Sequence, residues 1–123
     1  MAGNESTTVA VIDDDDAVRD SMRFLLEVEG YCVETFASAA EFLKAEVGGF
    51  ACLLLDHHMP QMTGLDLAER LRAGGVAVPI MLMTGSPSPA IVARAAELGI
   101  ERVLEKPPVE EDMLAFIRAV QGE

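Results

Sequence analysis

At 123 residues the chain is the size of one domain, and with half of its residues hydrophobic it can bury a core of its own. A formal net charge of −12 argues against direct binding to nucleic acid or to an anionic membrane, since both demand a basic surface. No apolar run approaches the length of a bilayer span, and Met1-Ala2-Gly3-Asn4-Glu5-Ser6 lacks the charged-then-apolar order of a secretion signal, so a cytoplasmic, reducing location is expected.

Val9 to Ile12 reads as a first strand, short and apolar, ended by Asp13 and Asp14. Asp15 or Asp16 caps a helix running to about Glu29, with Val18, Met22, Leu25, Leu26 and Glu29 at helical spacing and Gly30 as its stop. Tyr31 to Thr35 follows as a second strand. Ser38 then caps a short helix through Lys44, with Phe42 and Leu43 inward, which ends at Gly48-Gly49. Cys52 to Leu55 is the third strand, and Asp56 emerges at its C-terminal edge before His57-His58-Met59-Pro60. Gly64 precedes a third helix, striped by Leu65, Ala68 and Leu71 and closed by Gly74-Gly75. Pro79 to Met83 is nearly all apolar, as a strand buried on both faces should be, and Thr84 ends it. Ser88-Pro89 opens a fourth helix, with Ile91, Ala95 and Leu98 inward and Gly99 at its end. Arg102 to Leu104 is a short fifth strand before Lys106. A last helix from about Val109 to Val120 packs through Val109, Met113, Phe116, Ile117 and Val120. Cys32 and Cys52 sit inside strand-like segments, without CxxC or metal spacing, and read as buried free thiols.

Strands and helices that alternate at these lengths imply a parallel sheet with helices on both faces. The expected fold is a flavodoxin-like (βα)5 three-layer sandwich with strand order 2-1-3-4-5. That order places Asp13, Asp14 and Asp56 together at the crevice where strand order reverses. Three clustered carboxylates repel each other unless a cation neutralises them, and all-oxygen ligation suits Mg²⁺. An acidic first turn also suits a helix dipole, so Asp15 and Asp16 are assigned to capping while Asp13 and Asp14 point into the crevice. A carboxylate beside such a metal can act as a nucleophile toward phosphorus, giving an acyl phosphate. Charge developing on the phosphoryl oxygens then needs donors, which Lys106 and the Thr84 hydroxyl supply from two further strand ends.

The pattern Val-Ile-Asp13-Asp14, Leu-Asp56-x-x-Met-Pro-x-Met-x-Gly64, Thr84-Gly85 and Glu-Lys106-Pro107 resembles the receiver domain of two-component response regulators. Phe36-x-Ser38-Ala39-x-x-Phe42-Leu43 and Leu82-Met83-Thr84-Gly85 are similar to FixJ-like receivers in particular. The resemblance covers nearly the whole chain. It implies that Asp56 accepts a phosphoryl group from a sensor histidine kinase, and that Asp13, Asp14, Asp56 and the main-chain carbonyl of His58 bind Mg²⁺. It implies too that Thr84 moves to bond the phosphoryl group, that Lys106 pairs with it, and that the Lys106-Pro107 bond is cis. The first helix is the kinase-docking surface by the same resemblance; Phe24, off the core stripe, is either exposed there for docking or packed on the second helix.

The chain departs from the pattern at Val103, where receivers carry Tyr or Phe three residues before the lysine, so relay to the outer face of the last strand is expected to be altered. His57-His58 is also uncommon; the His58 side chain either reaches over the phosphoryl site or is a loop histidine engaged only through its backbone. Residues 1–123 are expected to be one receiver without an output domain, a stand-alone regulator acting by protein–protein contact. It would work with a histidine kinase and also a histidine phosphotransfer protein, as a monomer or a homodimer. Three other readings compete: a receiver fragment of a longer transcriptional regulator, an unphosphorylated interaction module, and a dehalogenase-like hydrolase. The last needs a second acid two residues after the nucleophile, where His58 stands.

Overall fold

The short apolar runs assemble into one parallel sheet in the computed structural model, which describes residues 8–45, 49–100 and 102–122. In chain order the elements are β1 (Thr8–Ile12), α1 (Asp16–Val28), β2 (Cys32–Phe36), α2 (Ala39–Leu43), β3 (Cys52–Asp56), α3 (Gly64–Ala73), β4 (Ile80–Thr84), α4 (Pro89–Glu97), β5 (Arg102–Glu105) and α5 (Glu110–Val120). The sheet runs β2-β1-β3-β4-β5, every pair parallel, as expected.

Alternation along the strands divides the core into two layers, because successive side chains leave a strand on opposite faces. Ala10, Ile12, Leu53, Leu55, Ile80 and Leu82 meet Phe42 of α2, Leu65, Ala68 and Leu71 of α3, and Ala95 of α4. Val9, Val11, Cys52, Leu54, Met81 and Met83 meet Met22 and Leu26 of α1 and Met113, Phe116 and Ile117 of α5. β3 and β4 are buried along their whole length, since both faces are covered. Phe36, Phe42 and Phe50 form an aromatic cluster below α2, with centroids 5.2–5.9 Å apart.

The starts of α1 to α4 follow side-chain capping, which satisfies backbone N–H groups that lack a partner in the first turn, whereas Val109 before α5 offers none. Asp15, Ser38 and Ser88 each accept from the backbone N–H three residues on. α3 begins with a capping box that the sequence reading overlooks. The Thr63 hydroxyl accepts from the Asp66 N–H at 3.1 Å, and Asp66 Oδ2 accepts from the Thr63 N–H at 3.2 Å. Asp66 Oδ1 also accepts from Arg94 Nη2 at 3.1 Å, which ties the start of α3 to α4.

Four expectations need correction. Cys32 is exposed, because β2 is the sheet's edge strand and turns Cys32 and Glu34 outward; Cys52 is the buried thiol, pushed up to about 12 by burial and so inert. β2 itself lies one residue later than expected. Val109 is 59% exposed, and Leu114 is buried on α5 in its place. Glu29 is an exposed helix cap rather than part of the α1 core stripe. Gly48 lies outside the described residues.

Candidate functional site

The register of the sheet brings the site residues level. Ile12 pairs with Leu55, so Asp13 stands one step on, beside Asp56. Asp56 pairs with Met83, which puts Thr84 one step beyond, and Thr84 pairs with Glu105, one before Lys106. No insertion is needed: four adjacent strands simply end in polar groups.

Asp13, Asp56 and Thr84 are the only buried polar or charged residues of the described core. The Asp13 carboxylate accepts from the Asp15 N–H at 3.0 Å and from Lys106 Nζ at 2.8 Å. Asp56 Oδ1 accepts from the His58 N–H at 3.2 Å and lies 3.4 Å from Lys106 Nζ. One ammonium thus faces two buried carboxylates, and Asp14, exposed, adds a third whose oxygen lies within 4.8 Å of theirs. Burial, then the charge of Asp13, raise the Asp56 carboxyl above its usual range, against the opposing pull of Lys106. At Lys106 burial works the other way, but bonds to Asp13 and Asp56 outweigh it and the ammonium is held above its usual range. The donor set suits a hard divalent cation: the carboxylates carry more negative charge than Lys106 balances. Among the described residues, moreover, the His58 carbonyl accepts no backbone hydrogen bond.

Gly64 explains how the turn after Asp56 packs so closely. Its N–H donates to the His57 carbonyl at 3.0 Å, and a Cβ there would lie 2.5 Å from the Asp56 carbonyl oxygen. The Lys106-Pro107 bond is cis, and the Lys106 N–H donates to the Thr84 carbonyl at 2.9 Å.

Asp13, Asp14, Asp56 and Lys106 come together, Thr84 ends the neighbouring strand, and of the two readings of His58 the one with an engaged side chain matches the structure. The His58 Nε2 lies 2.6 Å from Thr84 Oγ1, so the ring as well as the backbone is engaged. The Thr84 hydroxyl also accepts from the Ser86 N–H at 3.1 Å. Val103 lines an open apolar recess of about 500 Å³ with Val92, Ala96, Gly99 and Ile100, where an aromatic side chain would add bulk. Phe24 is 67% exposed on α1, four residues before the equally exposed Val28.

A doubly covered parallel sheet with a crevice at its strand ends serves many functions, and comparison with known proteins narrows the class. Residues 9–118 match the model of the response regulator receiver domain, and the chain belongs to that family. It is 42% identical over 119 residues to the transcriptional regulatory protein FixJ of Azorhizobium caulinodans, an alignment covering 96% of this chain and 56% of that protein. The solved full-length FixJ of B. japonicum superposes with a TM-score of 0.84 at 37% identity, over 94% of this chain and 58% of that one. A CheY-like receiver from Methanospirillum hungatei gives a TM-score of 0.85 at 28% identity, covering 94% of each. The chain spans about half the length of the curated relatives it matches. Among the described residues no helix is long and apolar enough to cross a membrane.

Proposed function

We propose that Asp56 accepts a phosphoryl group from a phosphohistidine of a sensor histidine kinase, with Mg²⁺ held by Asp13, Asp14, Asp56 and the main-chain carbonyl of His58. The observation that carries this is the gathering of the three carboxylates within 4.8 Å while Lys106 touches both buried ones. Magnesium, when bound, would neutralise the carboxylates and draw charge from the phosphoryl oxygens.

In the transfer an Asp56 oxygen attacks phosphorus as the donor's P–N bond breaks. The electron pair leaves with the imidazole, and an acyl phosphate remains on Asp56. Lys106 balances the charge that builds on the phosphoryl oxygens, and the Thr84 hydroxyl donates to them. The chain then acts as a signalling domain rather than as an enzyme with a separate substrate, at most promoting its own phosphorylation and dephosphorylation.

The exposed Phe24 and Val28 suit kinase docking on α1, beside an apolar groove that Met22, Leu25, Pro107 and Met113 line next to Lys106. A histidine phosphotransfer protein offers the same phosphohistidine chemistry. Output by protein contact in the cytoplasm, through a homodimer or another partner, fits the acidic surface better than direct nucleic-acid binding.

Incubation with a phosphorylated histidine kinase or with acetyl phosphate, plus Mg²⁺, tests the proposal. Wild type should take up phosphate and Asp56→Asn should not. A chain that stays unlabelled under both donors would instead be a silent interaction module.

A further inference from the structure

We propose that His58 is a positioning residue for Thr84: its ring holds the Thr84 hydroxyl in the unphosphorylated protein, and the hydroxyl has to leave that ring to reach a phosphoryl group on Asp56. This rests on the phosphoacceptor reading and adds to it an internal competitor for the switch hydroxyl.

The contact joins residues 26 apart in sequence at 2.6 Å, at the short end for a hydrogen bond. Thr84 Oγ1 is buried with two partners, the Ser86 N–H and the His58 ring, and it makes no hydrogen bond to Asp56. A hydroxyl has a single proton to give. While it donates to Nε2, that proton is withheld from any oxygen bound at Asp56; if Nε2 is the donor instead, moving the hydroxyl toward Asp56 still sacrifices the ring's bond. The same residue grips the acceptor from the other side, since the His58 N–H donates to Asp56 Oδ1 at 3.2 Å. His58 therefore touches the acceptor through its backbone and the switch hydroxyl through its ring. The ring is steadied by an edge-on contact with His57, centroids 5.0 Å apart.

His58 is itself exposed, so water can replace part of what the bond contributes, and the expected effect is moderate. A net hydrogen bond of about 0.5–1.5 kcal/mol corresponds to about a two- to tenfold change in an equilibrium constant.

Beryllofluoride, a non-covalent stand-in for the phosphoryl group, gives the test when its affinity for the whole chain is measured by ¹⁹F NMR with Mg²⁺ in excess. His58→Ala keeps the backbone N–H and carbonyl but removes the ring, and should tighten beryllofluoride binding about two- to tenfold. His58→Gln, which can restore a bond to the hydroxyl, should fall between it and wild type. In a Thr84→Val background the same His58→Ala change should have almost no effect, because the hydroxyl it releases is gone. Unchanged or weaker binding by His58→Ala, or the same tightening with and without the Thr84 hydroxyl, overturns the proposal while leaving Asp56 as the acceptor. Wild type that binds no beryllofluoride at all removes both.

Discussion

Replacing Gly64 with alanine places a methyl group against the backbone of Asp56, the proposed phosphoacceptor. The new carbon would stand 2.5 Å from the Asp56 carbonyl oxygen, 2.9 Å from His57 Cα and 3.0 Å from Leu82 Cδ1. Real contacts of this kind essentially never fall below 3.0 Å, and ordinary contact begins at 3.4 Å. The Asp56 carbonyl would therefore retreat by roughly 0.5–0.9 Å, or α3 would tilt away by as much. The Leu82 end could swing aside; the two backbone atoms have no such freedom. Overpacking of this sort costs about 1–3 kcal/mol. Alanine recovers up to about 1 kcal/mol through helix propensity and a stiffer unfolded chain. A net loss of about 1–2 kcal/mol lowers Tm by about 4–8 °C in a domain of this size. Because the displaced carbonyl belongs to Asp56, phosphate uptake from acetyl phosphate should fall about tenfold or more, given how steeply reactivity depends on placement. Thermal melts followed by circular dichroism, with phosphate labelling of the folded fraction, measure both. A variant with equal or higher Tm and undiminished labelling would show that the close approach at Gly64 does not position the acceptor.

Other perturbations probe the charges and caps. Asp56→Asn should raise Tm at neutral pH in EDTA, since burial and Asp13 make the ionised Asp56 costly. That cost is present above the raised folded-state value and is lost as pH falls toward the ordinary carboxylate range, so the gain should shrink on acidification. A gain independent of pH would count against it. Lys106→Met leaves the buried Asp13 and Asp56 carboxylates without their shared donor and should cost about 1–3 kcal/mol in EDTA, with Mg²⁺ restoring part of it; denaturant melts with and without Mg²⁺ decide this, and equal losses in both would refute it. Thr63→Ala removes one bond of the α3 capping box and should destabilise by about 1 kcal/mol, read from urea unfolding. No change there would mean that Asp66 alone suffices.

Most of the architecture was legible because each strand is a short apolar run that ends in a polar group, and that ending is also where the site lies. Asp13, Asp56, Thr84 and Lys106 could be placed together from strand order alone, since parallel strands with short loops leave little choice of register. α3 starts one residue earlier than expected, at Gly64 itself, because the Thr63-x-x-Asp66 capping box sets the helix start. Cys32 and Val109 failed for a different reason: local apolar pattern does not say which strand is the edge, or on which side a helix end meets solvent. The sequence leaves the His58 ring between two readings and does not name Thr84 as its partner, a pairing fixed only when the turn after β3 folds against the end of β4.

Asp66 has a wider consequence. One carboxylate closes the cap of α3 through Thr63 and receives Arg94 from α4, and those bonds hold it below the usual carboxylate range. Thr63 ends the segment that leads from Asp56, so the Arg94–Asp66 bond links α4 to the helix start that closes that segment. The turn after β3 and the helix α4 are thus tied through a single carboxylate.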